Sequence, residues 1–342
     1  MKAKAAMFPR NQWYAFGWDY EVGREPVGRR ICNEPIVAYR RTDGVAVALE
    51  DACPHRLLPM SAGRVEGDNI RCGYHGLLMN ERGETVEMPG GDPPRPHICG
   101  KPYPIVEKHR FLWVWIGEAA RADESLIPDM GINTETGWRA DGGTYPVKCD
   151  YRLLIDNLMD LTHETYVHAS SIGQAEIHDF PIETQTDGDV VTCTRWMPNI
   201  PPAPLYKARL PANVGNVDRW QICKFIAPCA IVIDIGVAPV EEKQTLEDHD
   251  KWRRSYVINL ITPETDKSCW YFWGATRKDT GDEDIAKRVK GQGAVFQEDV
   301  EILEAQQRSI DAFPDRKLRS FSIDAGGVHA RVVLERMLKR QA

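Results

Sequence analysis

Cys53-Pro54-His55, sixteen further residues, and then Cys72-Gly73-Tyr74-His75-Gly76 are the stretches on which the fold of this 342-residue chain turns. They place two thiolates and two imidazoles on two short loops, in the order Cys, His, Cys, His. A zinc finger pairs like with like, Cys with Cys and then His with His, and does not fit. A [2Fe–2S] cluster with thiolates on one iron and imidazoles on the other does fit, and the imidazoles raise its reduction potential above that of an all-cysteine cluster. Pro54, Gly73 and Gly76 suit loops whose backbone must run close to inorganic sulfides and offer them N–H groups. The other cysteines, Cys32, Cys99, Cys149, Cys193, Cys223, Cys229 and Cys269, show no paired spacing and read as small core residues.

Working outward, the segments around these loops are short apolar alternations broken by turn residues, among them PIVAYRRTDG, VAVALED, GLLMNERGETVEM and FLWVWIGE. That spacing predicts an all-β domain, with the Pro- and Gly-rich stretch from Met88 to Pro104 as a loop returning to its last strand. Near Glu118 the composition shifts to Ala, Asp and Glu, which puts the domain boundary at 118/119 and gives domains 1–118 and 119–342. Nine cysteines in a chain of this length suit reduced thiols better than a disulfide framework. The net charge of −7 offers no basic footprint for nucleic acid or for a membrane surface. No apolar run reaches the roughly 18 residues of a membrane span, and the first residues lack a signal-peptide core, so the expectation is a cytoplasmic enzyme with a small ligand.

The second half begins with helical periodicity from Tyr151 to Ser170, its apolar set Leu153, Leu154, Leu158 and Leu161. Five strand-like segments follow, VVTCTRWM, RWQICKFI, AIVIDIGVAP, SYVINLIT and CWYFWGATR, and two helical ones close the chain, about Glu283 to Ala312 and Ala325 to Arg340. One antiparallel sheet with helices gathered on it makes an α+β domain. On the first helix Asn157, Asp160 and His163 fall three apart on one stripe. His163 and His168 are five apart, so joint ligation of a metal predicts a π-type irregularity or a helix end between them. Two histidines call for a carboxylate to complete the facial triad of a non-haem Fe(II) oxygenase. Phe296-Gln297-Glu298-Asp299 supplies two, and because neighbouring helical positions point about 100° apart the pattern leaves Glu298 and Asp299 both eligible. The plainer alternative makes the histidines ordinary polar positions on an amphipathic helix and Asp156 or Asp160 a local cap.

The cluster motif, together with NQWYAF, CGYHGLLMN, CDYRLLIDNLMDLTHETYVHASSIGQ, DRWQICKF and LITPE, resembles the oxygenase subunits of Rieske non-haem iron oxygenases over nearly the whole chain. The resemblance implies a Rieske domain followed by a helix-grip, START-like catalytic domain. It implies Cys53, His55, Cys72 and His75 as cluster ligands, and His163, His168 and Asp299 as ligands of a mononuclear iron, favouring Asp299 over Glu298. Asn157 is then a neighbour of the iron and Asp160 the carboxylate between the two metal centres. It further implies a ring-shaped homotrimer in which His75 of one chain hydrogen-bonds Asp160 of the next. A separate flavin- or ferredoxin-type reductase would bring electrons from NAD(P)H. The expected reaction is O-demethylation of a methoxybenzoate such as vanillate by O2, with formaldehyde released. Hydroxylation of the ring or a methyl group of another aromatic acid is the alternative, and an electron carrier without an oxygenase site the second. For the pocket, an aromatic acid needs apolar walls and a donor for its carboxylate. Ile233 and Asn259 are candidates for the walls, and Arg219 or Lys224 for the charge.

Overall fold

The computed structural model describes residues 7–341 except 170, 209, 247–252, 279–280 and 282–284. The chain packs as two units, Met1–Met130 with Thr262–Thr265, and Gly131–Ile261 with Asp266–Ala342. The stretch 119–130, expected to open the second domain, therefore goes with the first. One reason is local: Trp13 in the first strand donates its indole N–H to the carbonyl of Asp123 at 2.8 Å, and Ile127 and Met130 are buried.

The first unit is all β, with β1 (Gln12–Trp18), β2 (Val27–Ile31), β3 (Glu34–Arg40), β4 (Ala46–Glu50), β5 (Arg64–Glu66), β6 (Asn69–Arg71), β7 (Leu78–Met79), β8 (Thr85–Glu87), β9 (Pro102–Tyr103), β10 (Ile105–Lys108) and β11 (Phe111–Ile116). They form three antiparallel sheets, ordered β1-β11-β10, β2-β3-β4-β9 and β5-β6-β7-β8. Every residue of β11 is buried, which explains its unbroken apolar run. The Met88–Pro104 stretch is irregular for most of its length, but β9 at its end pairs with β4. Cys53 and Cys72 belong to a core of Val37, Tyr39, Leu49, Met60, Ile70, Leu77 and Met79. The cluster loops are thus anchored by their thiols.

The second unit contains β12 (Trp138–Val147), α1 (Tyr151–Met159), α2 (Glu164–Val167), β13 (Glu183–Asp187), β14 (Val190–Ile200), α3 (Pro204–Lys207), β15 (Val217–Ile226), β16 (Ala230–Pro239), β17 (Arg253–Thr265, whose Thr262–Thr265 end counts with the first unit), β18 (Ser268–Lys278), α4 (Ile285–Ala312) and α5 (Ala325–Lys339). Its sheet runs β12-β18-β17-β16-β15-β14-β13. Helix α1 packs on β15, α5 on β14, and α4 on β12 and β18. The α+β expectation and all five anticipated strands are present, and α4 and α5 match the two closing helices, although Glu283 lies outside the described residues. The sequence gives weaker signals for the edge strands β12 and β13. In β12 the reason is visible at Gly143, where a Cβ would sit 2.6 Å from the Trp273 ring. A residue chosen for close packing dilutes the β signal. Among the described residues no helix is long and apolar enough to cross a membrane.

Candidate metal centres

The two cluster loops follow one backbone plan. Cys53 N–H donates to the Leu58 carbonyl and Leu57 N–H back to the Cys53 carbonyl, both at 2.8 Å; Cys72 N–H donates to Leu77 at 2.8 Å and Gly76 N–H to Cys72 at 3.2 Å. The fourth residue after each cysteine has positive φ, 60° at Leu57 and 80° at Gly76. Each turn sends its cysteine inward and its histidine out: both cysteines are buried, while His55 and His75 are exposed with ring centroids 4.6 Å apart. Gly73 is required by close approach, since a Cβ there would lie 2.8 Å from the Ala62 carbonyl. Arg71 braces the second loop, donating to Gly76 O at 2.7 Å while paired with Glu66 and Glu87. Burial, with the neighbouring Cys72 thiol adding to it, pushes the Cys53 thiol up. Adjacent buried thiolates need a compensating positive group, and this donor set fits a cluster with mixed ligands.

The second centre forms where the expected Tyr151–Ser170 helix breaks. Helix α1 ends at Met159 and Asp160 is extended, with φ −93° and ψ 112°. The Asp160 carboxylate accepts from Thr162 N–H at 2.7 Å and from Thr162 Oγ1 at 2.6 Å, offering the backbone a turn in place of the next helical bond. The chain then makes one turn, α2, with His163 as its N-cap and His168 as its C-cap. The helix end expected before His168 is present, but there is a second break upstream, so Asp160 and His163 do not share a continuous helix face.

Both imidazoles are fixed by one ring nitrogen and present the other. His163 Nδ1 lies 2.7 Å from the Asp160 carbonyl, an acceptor that requires the proton on Nδ1. His168 Nδ1 lies 2.7 Å from Glu298 Oε2, with the same consequence. The Nε2 atoms converge on Asp299 Oδ1, at 3.5 Å from His163 and 3.3 Å from His168. One ligand atom from each of the three residues lies within 4.8 Å of the others. Asn157 Nδ2 donates to the same Asp299 oxygen at 3.2 Å, and its buried Oδ1 has no partner among the described residues. Burial opposes charge on His168, yet hydrogen bonds and charge from Asp299 and Glu298 outweigh it and raise its pKa to about 9. Such a site attracts a cation between the rings and Asp299. Imidazoles tied through Nδ1 to a carbonyl and a carboxylate are oriented as metal-binding histidines usually are. His163, His168 and Asp299 therefore fit an iron ion, with Glu298 behind His168 rather than beside the ion.

Other anticipated residues divide. Asp160 reaches His163 through its carbonyl, its carboxylate being 3.8 Å away. Asp156 pairs with Arg331 at 2.9 Å. Ile233 is half-buried, in register with Cys223 and Val257 on the sheet. Asn259 is fully buried, donating to Ile231 O at 3.3 Å and accepting from the Tyr271 hydroxyl at 2.7 Å. Arg219 is not free to meet a substrate carboxylate: it is buried against Glu164 Oε2 at 3.2 Å, Gln174 Oε1 at 2.8 Å and Ile172 O at 3.1 Å. Lys224 is on the exposed side of β15. Sequence reasoning missed Glu164, Arg195 and Gln221, yet the strands that carry Arg195 and Gln221 held a signal. Arg195 shares parity with buried Val191, Cys193 and Met197, and Arg219 and Gln221 with Cys223 and Phe225. A charge on the apolar side of a strand is a buried charge with a partner to find.

The fold and both centres define a Rieske-type oxygenase. Residues 12–105 match the Rieske [2Fe-2S] domain and residues 147–340 the vanillate O-demethylase oxygenase C-terminal domain. The chain is 45% identical to the vanillate O-demethylase oxygenase subunit of a Pseudomonas species, covering 97% of this chain and 95% of that one. It is also similar to crystal structures of dicamba monooxygenase. The complex with 3,6-dichlorosalicylic acid has a TM-score of 0.91 at 31% identity, covering 98% of each chain. The form with non-haem iron and dicamba has a TM-score of 0.84 at 30% identity, covering 98% of this chain and 99% of that one. This chain belongs to the Rieske non-haem iron oxygenases, in the branch that carries the vanillate O-demethylase oxygenase C-terminal domain. It is a monooxygenase component that holds a [2Fe–2S] cluster and a mononuclear iron and works with a separate reductase.

Proposed function

We propose that the chain O-demethylates an aromatic methoxy acid, with vanillate as substrate, giving protocatechuate, formaldehyde and water from O2 and the two electrons of NAD(P)H. The observation carrying the oxygenase reading is the convergence of His163 Nε2 and His168 Nε2 on Asp299 Oδ1. The choice of vanillate rests on the 45% identity to its demethylase. Cys53, Cys72, His55 and His75 hold the cluster; His163, His168 and Asp299 hold the iron. Bound there, a ferrous ion would supply O2 activation and the cluster would supply electrons one at a time.

The protein's own tasks are to orient and to exclude. Glu298 and the Asp160 carbonyl hold the imidazole protons at Nδ1, so that neither ring can turn its Nε2 away. Asn157, donating to Asp299 Oδ1, fixes the carboxylate. Ile233 supplies an apolar wall, and buried Asn259 stiffens the sheet behind it through Tyr271. The acid's carboxylate partner is a residue other than Arg219.

In a homotrimer, exposed His75 of one copy would face Asp160 of the next, which sets Asp160 between the two centres. Asp160 suits this role because one carboxylate oxygen is held by Thr162 while its side chain keeps 21% exposure. The test is formaldehyde release against NAD(P)H consumption across methoxy- and methylbenzoates with the cognate reductase. Formaldehyde in step with NAD(P)H from vanillate supports the reading. Its absence, with product from a methylbenzoate, moves the enzyme to methyl hydroxylation. An iron content of about two per chain with full cluster absorbance makes it an electron carrier, and about three makes it an oxygenase.

A further inference from the structure

Both candidate iron-binding histidines sit at the ends of a helix of one turn, Glu164–Val167. A turn this short does not hold its own shape in water. Three buried side chains of the sheet grip it from beneath. Upstream of His163, Arg195 Nη1 donates to the Leu161 carbonyl at 2.6 Å. Between the histidines, Gln221 Nε2 donates to Glu164 Oε1 at 2.6 Å and Arg219 Nη2 to Glu164 Oε2 at 3.2 Å. Downstream of His168, Arg219 Nη1 reaches Ile172 O at 3.1 Å and Gln174 Oε1 at 2.8 Å. Arg195, Arg219 and Gln221 are each 2% exposed, and Arg195 and Gln221 are direct cross-strand partners on β14 and β15.

We infer that Arg219 is a positioning residue that sets the spacing of the two imidazoles, and with it the affinity of the mononuclear site for its metal, supported by Gln221 and Arg195. The inference rests on the reading of His163, His168 and Asp299 as ligands. Glu164 is the handle: its carboxylate points to the sheet, where it meets Arg219 and Gln221. Of these three sheet residues Arg219 is the one that bonds to residues on both sides of His168, so its fork clamps the turn to the chain that follows it. That return is tight, because Gly173 N–H donates to the His168 carbonyl at 3.0 Å and a Cβ on Gly173 would fall 2.4 Å from the Glu164 carbonyl. A lysine keeps the charge but not the planar fork that serves several acceptors in fixed directions. The metal site is thereby built on strands, which hold geometry better than a loop.

The test uses the full chain with its cluster intact, stripped of the mononuclear metal and titrated anaerobically with Fe(II), then with Co(II), whose visible bands report its coordination. Arg219→Lys is expected to weaken Fe(II) binding about tenfold or more and to shift the Co(II) bands, with cluster absorbance unchanged. Gln174→Ala leaves the Glu164 pair intact and is expected to weaken binding about two- to fivefold. Arg219→Lys within twofold of wild type, with unshifted bands, overturns the inference. If the lysine variant does not accumulate as folded protein, Gln174→Ala decides alone: weaker binding supports the inference and unchanged binding overturns it. His168→Ala is the separate control, and retention of tight Fe(II) binding there overturns the ligand assignment instead.

Discussion

At the scale of single residues, the adjacent carboxylates Glu298 and Asp299 have different work. Asp299 is 3% exposed and faces both Nε2 atoms, whereas Glu298 stands behind His168 at its Nδ1. Asp299→Ala is therefore expected to lower iron from about three to about two per chain with the cluster spectrum intact. Glu298→Gln keeps an acceptor but loses its charge, so it is expected to retain the site and weaken Fe(II) about 10- to 100-fold. Equal loss of iron from both variants would contradict this division of roles. Asp160→Asn is expected to retain both metals, because the His163 contact is made by its carbonyl, while coupled turnover falls at least about 10- to 100-fold. Normal turnover in that variant would refute a bridging role for the carboxylate.

At the scale of elements, what was legible followed periodicity. Strands β14 to β18 and helices α4 and α5 announce themselves by long apolar patterns, and the cluster loops by an unusual donor order. The break at Asp160 was not legible as a break, because Asp160-Leu161-Thr162 continues an acceptable helical pattern and only the Thr162 hydroxyl and N–H reveal the competing turn. Arg195, Arg219 and Gln221 carried a parity signal but no partner, since Glu164, Ile172 and Gln174 are remote in sequence. Sheet packing in the first unit gives a pH prediction. Glu34 at the start of β3 bonds Lys101 at 2.7 Å, Tyr103 in β9 at 2.6 Å and Arg10 at 2.5 Å. Burial alone would raise its pKa, but these partners lower it from 4.5 to about 2. A depressed carboxylate pKa contributes stability that is fully present above the unfolded value and is lost as pH falls through the folded one. The contribution is about 2 to 3 kcal/mol for a mostly buried group. Glu34→Gln is expected to unfold at lower temperature than wild type at pH 6 and to converge with it between about pH 4.5 and 2. A gap that stays constant over that window would show that the ionised form carries no advantage.

At the scale of the whole molecule, one chain carries both halves of a redox path, but the halves need not serve each other. The candidate cluster histidines His55 and His75 are exposed, and so are Leu57 and Tyr74 on the same loops. An exposed apolar rim around an electron-exit group is what a docking partner covers, and in a closed homotrimer every copy would present its cluster to the next. The consequence can be read from chains disabled at opposite ends. Cys72→Ser, without a working cluster, and Asp299→Ala, without the mononuclear iron, are each expected to be inactive alone. If the chain is a homotrimer as proposed, co-expression in equal amounts would give mixed trimers in which an intact cluster faces an intact iron site at roughly a quarter of the interfaces. Turnover of vanillate should recover to about that fraction of wild type. If electrons stayed within one chain, no chain in the mixture would hold both centres and turnover would remain at zero. Recovery therefore requires the electron path to cross between copies.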